Sequence, residues 1–111
     1  MGWNGANCEG RTHAVGSLKA NAFGLFDVHG NVWEWTLDGW DPTYYGQFTA
    51  HPAVNPWGSA EVSTRHAVRG GFWATPEPRC IASRRFFQPP TERYSHNGFR
   101  VVLPIEAVKR D

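Results

Sequence analysis

Two carboxylates bracket a tight turn in FDVHGNVWEW, residues 26–35, and that order suits a hard cation. Calcium takes roughly six to eight oxygen ligands. A turn that presents backbone carbonyls between two acidic side chains, Asp27 and Glu34, supplies several of them at once. The same residues also have a plainer use, in which Asp27 caps the turn and Glu34 pairs with Arg69 or Arg100. His29, inside the turn, reads as a surface or hydrogen-bonded histidine and not as a ligand.

Thiol chemistry rests on Cys8 and Cys80, which are too few for a disulfide framework and share no metal-ligand spacing. Two reduced thiols are expected. A bridge between them would close a long loop and stabilise by ~2–4 kcal/mol, but only if their backbones approach closely. Cys80 taken alone is the weak candidate for a catalytic thiol, and its plainer reading is a small buried apolar residue. The histidines His13, His29, His51, His66 and His96 contain no pair at helical metal-ligand spacing, and there is no GxSxG motif.

Residues 74–96, ATPEPRCIASRRFFQPPTERYSH, mix Arg, aromatic, Pro and small polar residues in the manner of a recognition surface. Tyr and Arg give rigid or planar contacts with hydrogen-bonding ends. Arg79, Arg93, Tyr94 and His96 are the candidate ligand-binding residues. In the alternative, Phe86 and Phe87 belong to the core, Arg84 and Arg85 form buried salt bridges, and Pro89 and Pro90 stiffen the loop.

Short strands at 32–36, 66–72 and 99–103 would position these groups. Each is apolar, aromatic or β-branched and is bounded by Gly, Pro, Asn or Asp. Only residues 105–110 hold a helical period, so helix content should be low. Two long irregular segments, 37–64 and 73–97, lie between the strands, and loops of that length in a compact domain usually serve a function. Without repeats, low-complexity tracts or linkers, residues 1–111 read as a single domain.

The 111 residues contain six Trp, seven Phe, three Tyr, twelve Gly and eight Pro, which points to aromatic plates held between turns. A net charge of +1 provides no field to attract nucleic acid, although five of the eleven basic residues lie between Arg79 and Arg100. No apolar run reaches the ~18–20 residues of a membrane span. The amino terminus lacks the apolar centre of a signal peptide, and Ala6 does not suit myristoylation. No membrane partner is expected, and the default expectation is a cytoplasmic chain.

NAFGLFDVHGNVWEW at 21–35, VRGGFW at 68–73 and NGFRVV at 97–102 together resemble the formylglycine-generating enzyme family, also called sulfatase-modifying factor. That resemblance implies an α+β fold, a variant of the C-type-lectin fold, with a small antiparallel sheet. It covers only the second half of the family domain, and the bared apolar surface favours a homodimer. The family's calcium site would fall on the side chains of Asp27 and Glu34 and the main-chain carbonyls of Gly30 and Val32.

Family members oxidise a substrate cysteine with a cysteine pair that holds copper(I), and thiolates suit that soft ion. Counted without a gap, the pair would fall on Thr75 and Cys80, and Thr75 has no sulfur. Counted backward from Gly98, Cys80 leaves the second position as well. Copper is therefore not expected. WAT at 73–75 resembles the sulfoxide-synthase branch, whose substrate-contacting Asp and Arg would fall on Gln88 and Glu92. The favoured function is a noncatalytic binding module for a protein or small-molecule ligand, with ligand-binding residues displayed as in the variable proteins of diversity-generating retroelements. The alternative is a thiol- and copper-dependent oxidoreductase, or a half-enzyme that needs a partner chain.

Overall fold

The computed structural model describes residues 2–54, 56, 58 and 64–104. Strand β1, Trp33–Gly39, runs through the middle of a four-stranded sheet. In WEWTLDG the large aromatics Trp33 and Trp35 alternate with Glu34 and Thr36, the two-residue period that sends successive side chains to opposite faces. β2, His66–Arg69, pairs antiparallel with β1 and sets Glu34 opposite Arg69 and Trp35 opposite Val68. β3, Arg85–Gln88, pairs antiparallel with the other edge of β2. β4, Asn97–Gly98, lies parallel to β1 on its free side. The order is β3-β2-β1-β4.

The sheet is thus mixed, where an antiparallel one was expected. Its helices among the described residues are two 3-10 turns, Tyr44–Phe48 and Glu77–Arg79. The expected strand at 66–72 stops at Arg69 because Gly70 and Gly71 take φ of 92° and 79°, outside the strand region. The expected strand at 99–103 does not form, and pairing ends at Gly98. Phe99, Val101 and Val102 are 77, 85 and 78% exposed, so their strand-like composition meets no partner ladder. β3 lies inside the segment read as irregular, where Arg and Pro obscured FF, two good strand formers. The helical period at 105–110 falls outside the described residues.

The buried apolar set is small: Cys8, Trp33, Ala67 and Val68. Trp33 stacks on Phe86 at 5.9 Å between ring centroids and leans on Phe72 at 6.2 Å. The turn before β1 ties the amino-terminal segment to this core. Gly30 donates its N–H to the Gly70 carbonyl at 2.8 Å, and Asn31 donates to the Trp3 carbonyl at 2.7 Å. A Cβ on Gly30, whose φ is 76°, would lie 2.0 Å from the Trp3 carbonyl oxygen, so only glycine fits there. The buried Asn31 side chain then closes a two-way hydrogen bond with the His13 backbone, at 2.9 and 3.1 Å. No helix among the described residues is long and apolar enough to cross a membrane.

Candidate functional site

The turn that carries Asp27 and Glu34 forms one wall of a cleft of about 810 Å³, shared with Asn97, Arg100 and the apolar Phe26 and Phe99. Asp27 sits at φ 54°, a left-handed conformation that Asp tolerates better than most residues. One carboxylate oxygen of Asp27 accepts the Gly16 N–H at 2.6 Å, and the other is buried without a partner. Both oxygens of Glu34 accept from the Arg100 guanidinium, each at 2.5 Å, in a forked ion pair. Arg100 also donates to the Phe26 carbonyl at 3.1 Å. The hydrogen bond to Glu34 raises the Arg100 pKa further, so this cation is permanent.

The donor set therefore suits calcium only in part. The unpartnered oxygen of Asp27 is one that a cation would satisfy. Glu34 already faces a guanidinium, which must swing away before a metal can take its place, since two cations cannot share one carboxylate cheaply. Among the described residues no three of His, Cys, Asp and Glu cluster as a metal site. Asn97, which sequence reasoning passed over, has both ends of its amide buried and unpartnered in the same cleft wall. Its place just ahead of GFR was the only available signal.

The second candidate centre is the turn after Gly71. Thr75 is buried, and its hydroxyl accepts the Phe72 N–H at 3.0 Å, locking the turn. A Cβ on Gly71 would lie 3.1 Å from the Cys80 sulfur and 3.3 Å from the Thr75 hydroxyl, so those two side chains converge on one glycine. A hydroxyl there cannot provide the second thiolate that copper(I) wants. Burial pushes the Cys80 thiol pKa up, partly opposed by the Arg84 charge, and so favours the protonated form. Cys8, buried, points its sulfur at the Trp73 carbonyl at 2.9 Å, and the Cys80 sulfur lies 3.9 Å from the Thr75 carbonyl. Both thiols are free and aim at carbonyls of the same turn from different parts of the chain.

The structure brings together only some of the four candidate ligand-binding residues. Tyr94 and His96 pack ring on ring at 5.1 Å, and His96 leans on Phe72 at 4.8 Å. His96 also holds the sheet, because its carbonyl accepts the Trp33 N–H at 2.7 Å and its ring nitrogen meets Gln88 at 3.4 Å. The Tyr94 hydroxyl donates to Glu92, which raises the phenol pKa. Arg93 is exposed beside them, whereas Arg79 closes the separate 3-10 turn Glu77–Arg79. Phe86 is 44% exposed despite its stack on Trp33. Arg84 and Arg85 lie over aromatic rings and form no ion pair with a described residue.

Known proteins share this pattern. The model of the sulfatase-modifying factor enzyme 1-like domain matches residues 2–105. The formylglycine-generating enzyme of Thermomonospora curvata is 32% identical over 92 residues, covering 80% of this chain and 30% of the relative. That of Mycobacterium tuberculosis is 48% identical over 116 residues, covering 92% of this chain and 34% of the relative. Treponema denticola variable protein 1 superposes with a TM-score of 0.68 at 31% identity, over 88% of this chain and 34% of that one. The chain spans about a third of the length of each. The family model covers nearly the whole chain, and the chain belongs to the sulfatase-modifying factor enzyme 1-like family.

Proposed function

We propose that this chain is a noncatalytic binding module built on the second half of the family domain, in its C-type-lectin-like variant, and that residues 74–96 meet its ligand. The observation that carries this reading is Thr75. At the position that converges with Cys80 on Gly71, a locked hydroxyl replaces the thiolate that a copper(I) pair needs. Arg93 and Tyr94 are exposed on a segment anchored through His96 to Phe72, which suits recognition by a rigid aromatic and a cation. The test is copper(I) titration of the reduced chain against a chromogenic chelator. A noncatalytic module leaves the metal with the chelator, and stoichiometric, Cys80-dependent capture refutes the reading.

A second reading, a thiol-dependent oxidoreductase, is favoured by the approach of Cys8 and Cys80 to one turn. It requires that same copper(I) capture and its loss in both Cys8→Ser and Cys80→Ser. Calcium held by Asp27, Glu34 and the carbonyls of Gly30 and Val32 remains a structural accessory, supported by the unpartnered Asp27 oxygen and opposed by Arg100. A homodimer is the assembly we expect, because Phe23, Phe99 and Val101 are at least three-quarters exposed.

A further inference from the structure

On the sheet face that carries Glu34, the cross-strand row continues through Arg69 of β2 to Arg85 of β3, which stand directly opposite one another. Like charges so placed ordinarily destabilise a sheet. Here they are held in position by aromatics. The Arg85 guanidinium lies 4.7 Å from the ring centroids of both Trp40 and Tyr45, and the Tyr45 hydroxyl accepts from Arg69 at 2.5 Å. The remaining protein acceptors are carbonyls: Ala82 for Arg69 and Asp41 for Arg85, each at 3.0 Å. Each guanidinium carries five N–H donors, and these contacts use two of those on Arg69 and one of those on Arg85.

Both arginines line one small recess of about 150 Å³, with Asp38, Tyr44 and Tyr45. The lining carboxylate, Asp38, and the nearby Asp41 already accept hydrogen bonds. Asp38 accepts the Gly58 N–H at 2.9 Å, and nearby Asp41 accepts the backbone N–H and hydroxyl of Thr43, both at 2.7 Å. The ion pairs among the described residues are Arg11 with Glu9 and Arg100 with Glu34, so neither recess arginine has a carboxylate partner there.

We propose that Arg69 and Arg85 form an oxyanion-binding recess that takes a single phosphate or carboxylate group. Arg85 belongs to the segment 74–96 proposed above to meet the ligand, but the recess shares no residue with the Arg93–His96 surface and its test does not depend on that reading. Aromatic rings hold the Arg85 guanidinium and hydrogen bonds hold that of Arg69, and a guanidinium fixed in this way can offer the forked recognition of an oxyanion that lysine cannot copy. Asp38 lowers the affinity and restricts it to anions that can displace water beside a carboxylate.

The test is calorimetric titration of the whole chain with inorganic phosphate and, separately, with acetate, at constant ionic strength. Saturable binding of at least one is expected, and the stronger of the two identifies the source as phosphoryl or carboxyl. Arg85→Gln and Arg85→Lys should each weaken it about tenfold or more. Asp38→Asn should tighten it, and the exposed Lys19→Gln should leave it unchanged. If Arg85→Gln disturbs folding, the Lys variant, which keeps the charge, decides. Binding that never saturates, that falls equally in Lys19→Gln, or that survives Arg85→Lys overturns the proposal.

Discussion

Replacing Glu34 with Gln separates two uses of the most distinctive motif in the chain. In the structure both carboxylate oxygens of Glu34 hold Arg100, with side-chain exposures of 20% for Glu34 and 35% for Arg100. A fully exposed pair contributes ~0.2–1 kcal/mol, whereas removing one partner of a fully buried pair costs ~3–5 kcal/mol. A half-buried forked pair falls between these limits. Arg100 keeps its bond to the Phe26 carbonyl, and the new amide retains one acceptor. The expected loss is ~1–2 kcal/mol, which for a chain of this size lowers Tm by ~4–12 °C. Thermal unfolding followed by tryptophan fluorescence, with calcium and with chelator, measures it. The ion-pair geometry predicts the same loss in both buffers, reduced but not abolished at high salt. A loss confined to calcium would refute this account and assign the carboxylate to a metal. No loss in either buffer would refute both.

Alanine at Gly30 should cost ~3 kcal/mol or more in urea unfolding, because its Cβ meets the Trp3 carbonyl oxygen at 2.0 Å on a backbone of positive φ. Alanine at Gly10 keeps a positive φ but meets nothing within 4 Å, and should cost only ~1 kcal/mol. Cys80 should react slowly with iodoacetamide at neutral pH and faster only on the alkaline side of pH 9.0, the ordinary thiol value above which burial lifts it. Its linkage runs the same way: a raised pKa means that the folded chain holds its proton longer, so stability is full below pH 9.0 and declines as pH rises through the folded value. Rapid alkylation at pH 7, measured by mass spectrometry, would contradict this. Light scattering should return a dimer mass, and Phe99→Ser, at a side chain already 77% exposed, should shift it toward monomer without lowering the monomer's stability. A monomer at all concentrations would rule out self-association as the cover for this surface.

Where the sequence alone succeeded, the signal was local. WEW followed by Thr announces a strand through its two-residue period. One of the motifs that carry the family likeness lies here, and the plainer reading of Glu34 named Arg69 or Arg100 as its partner, of which the structure uses Arg100. Where it failed, the deciding partner was distant. VVL at 101–103 has the composition of a strand, but nothing in the described structure pairs with it, whereas RFFQ at 85–88 becomes one because β2 offers an edge. The alternative that put Arg85 in a buried salt bridge fails, because its guanidinium lies against Trp40 and Tyr45, residues about forty positions earlier.

The sequence by itself determined the family and the presence of a tight turn at Gly30, because these depend on residue type at fixed spacing along the chain. Only the tertiary structure decided that Arg100 holds Glu34, that Cys8 joins Cys80 at one turn, and that Arg69 and Arg85 share a recess. The residues so brought together are 16 to 72 positions apart. Such contacts arise when strands pair and aromatic faces seek cover, a choice made by the whole chain and recorded in no single segment of it.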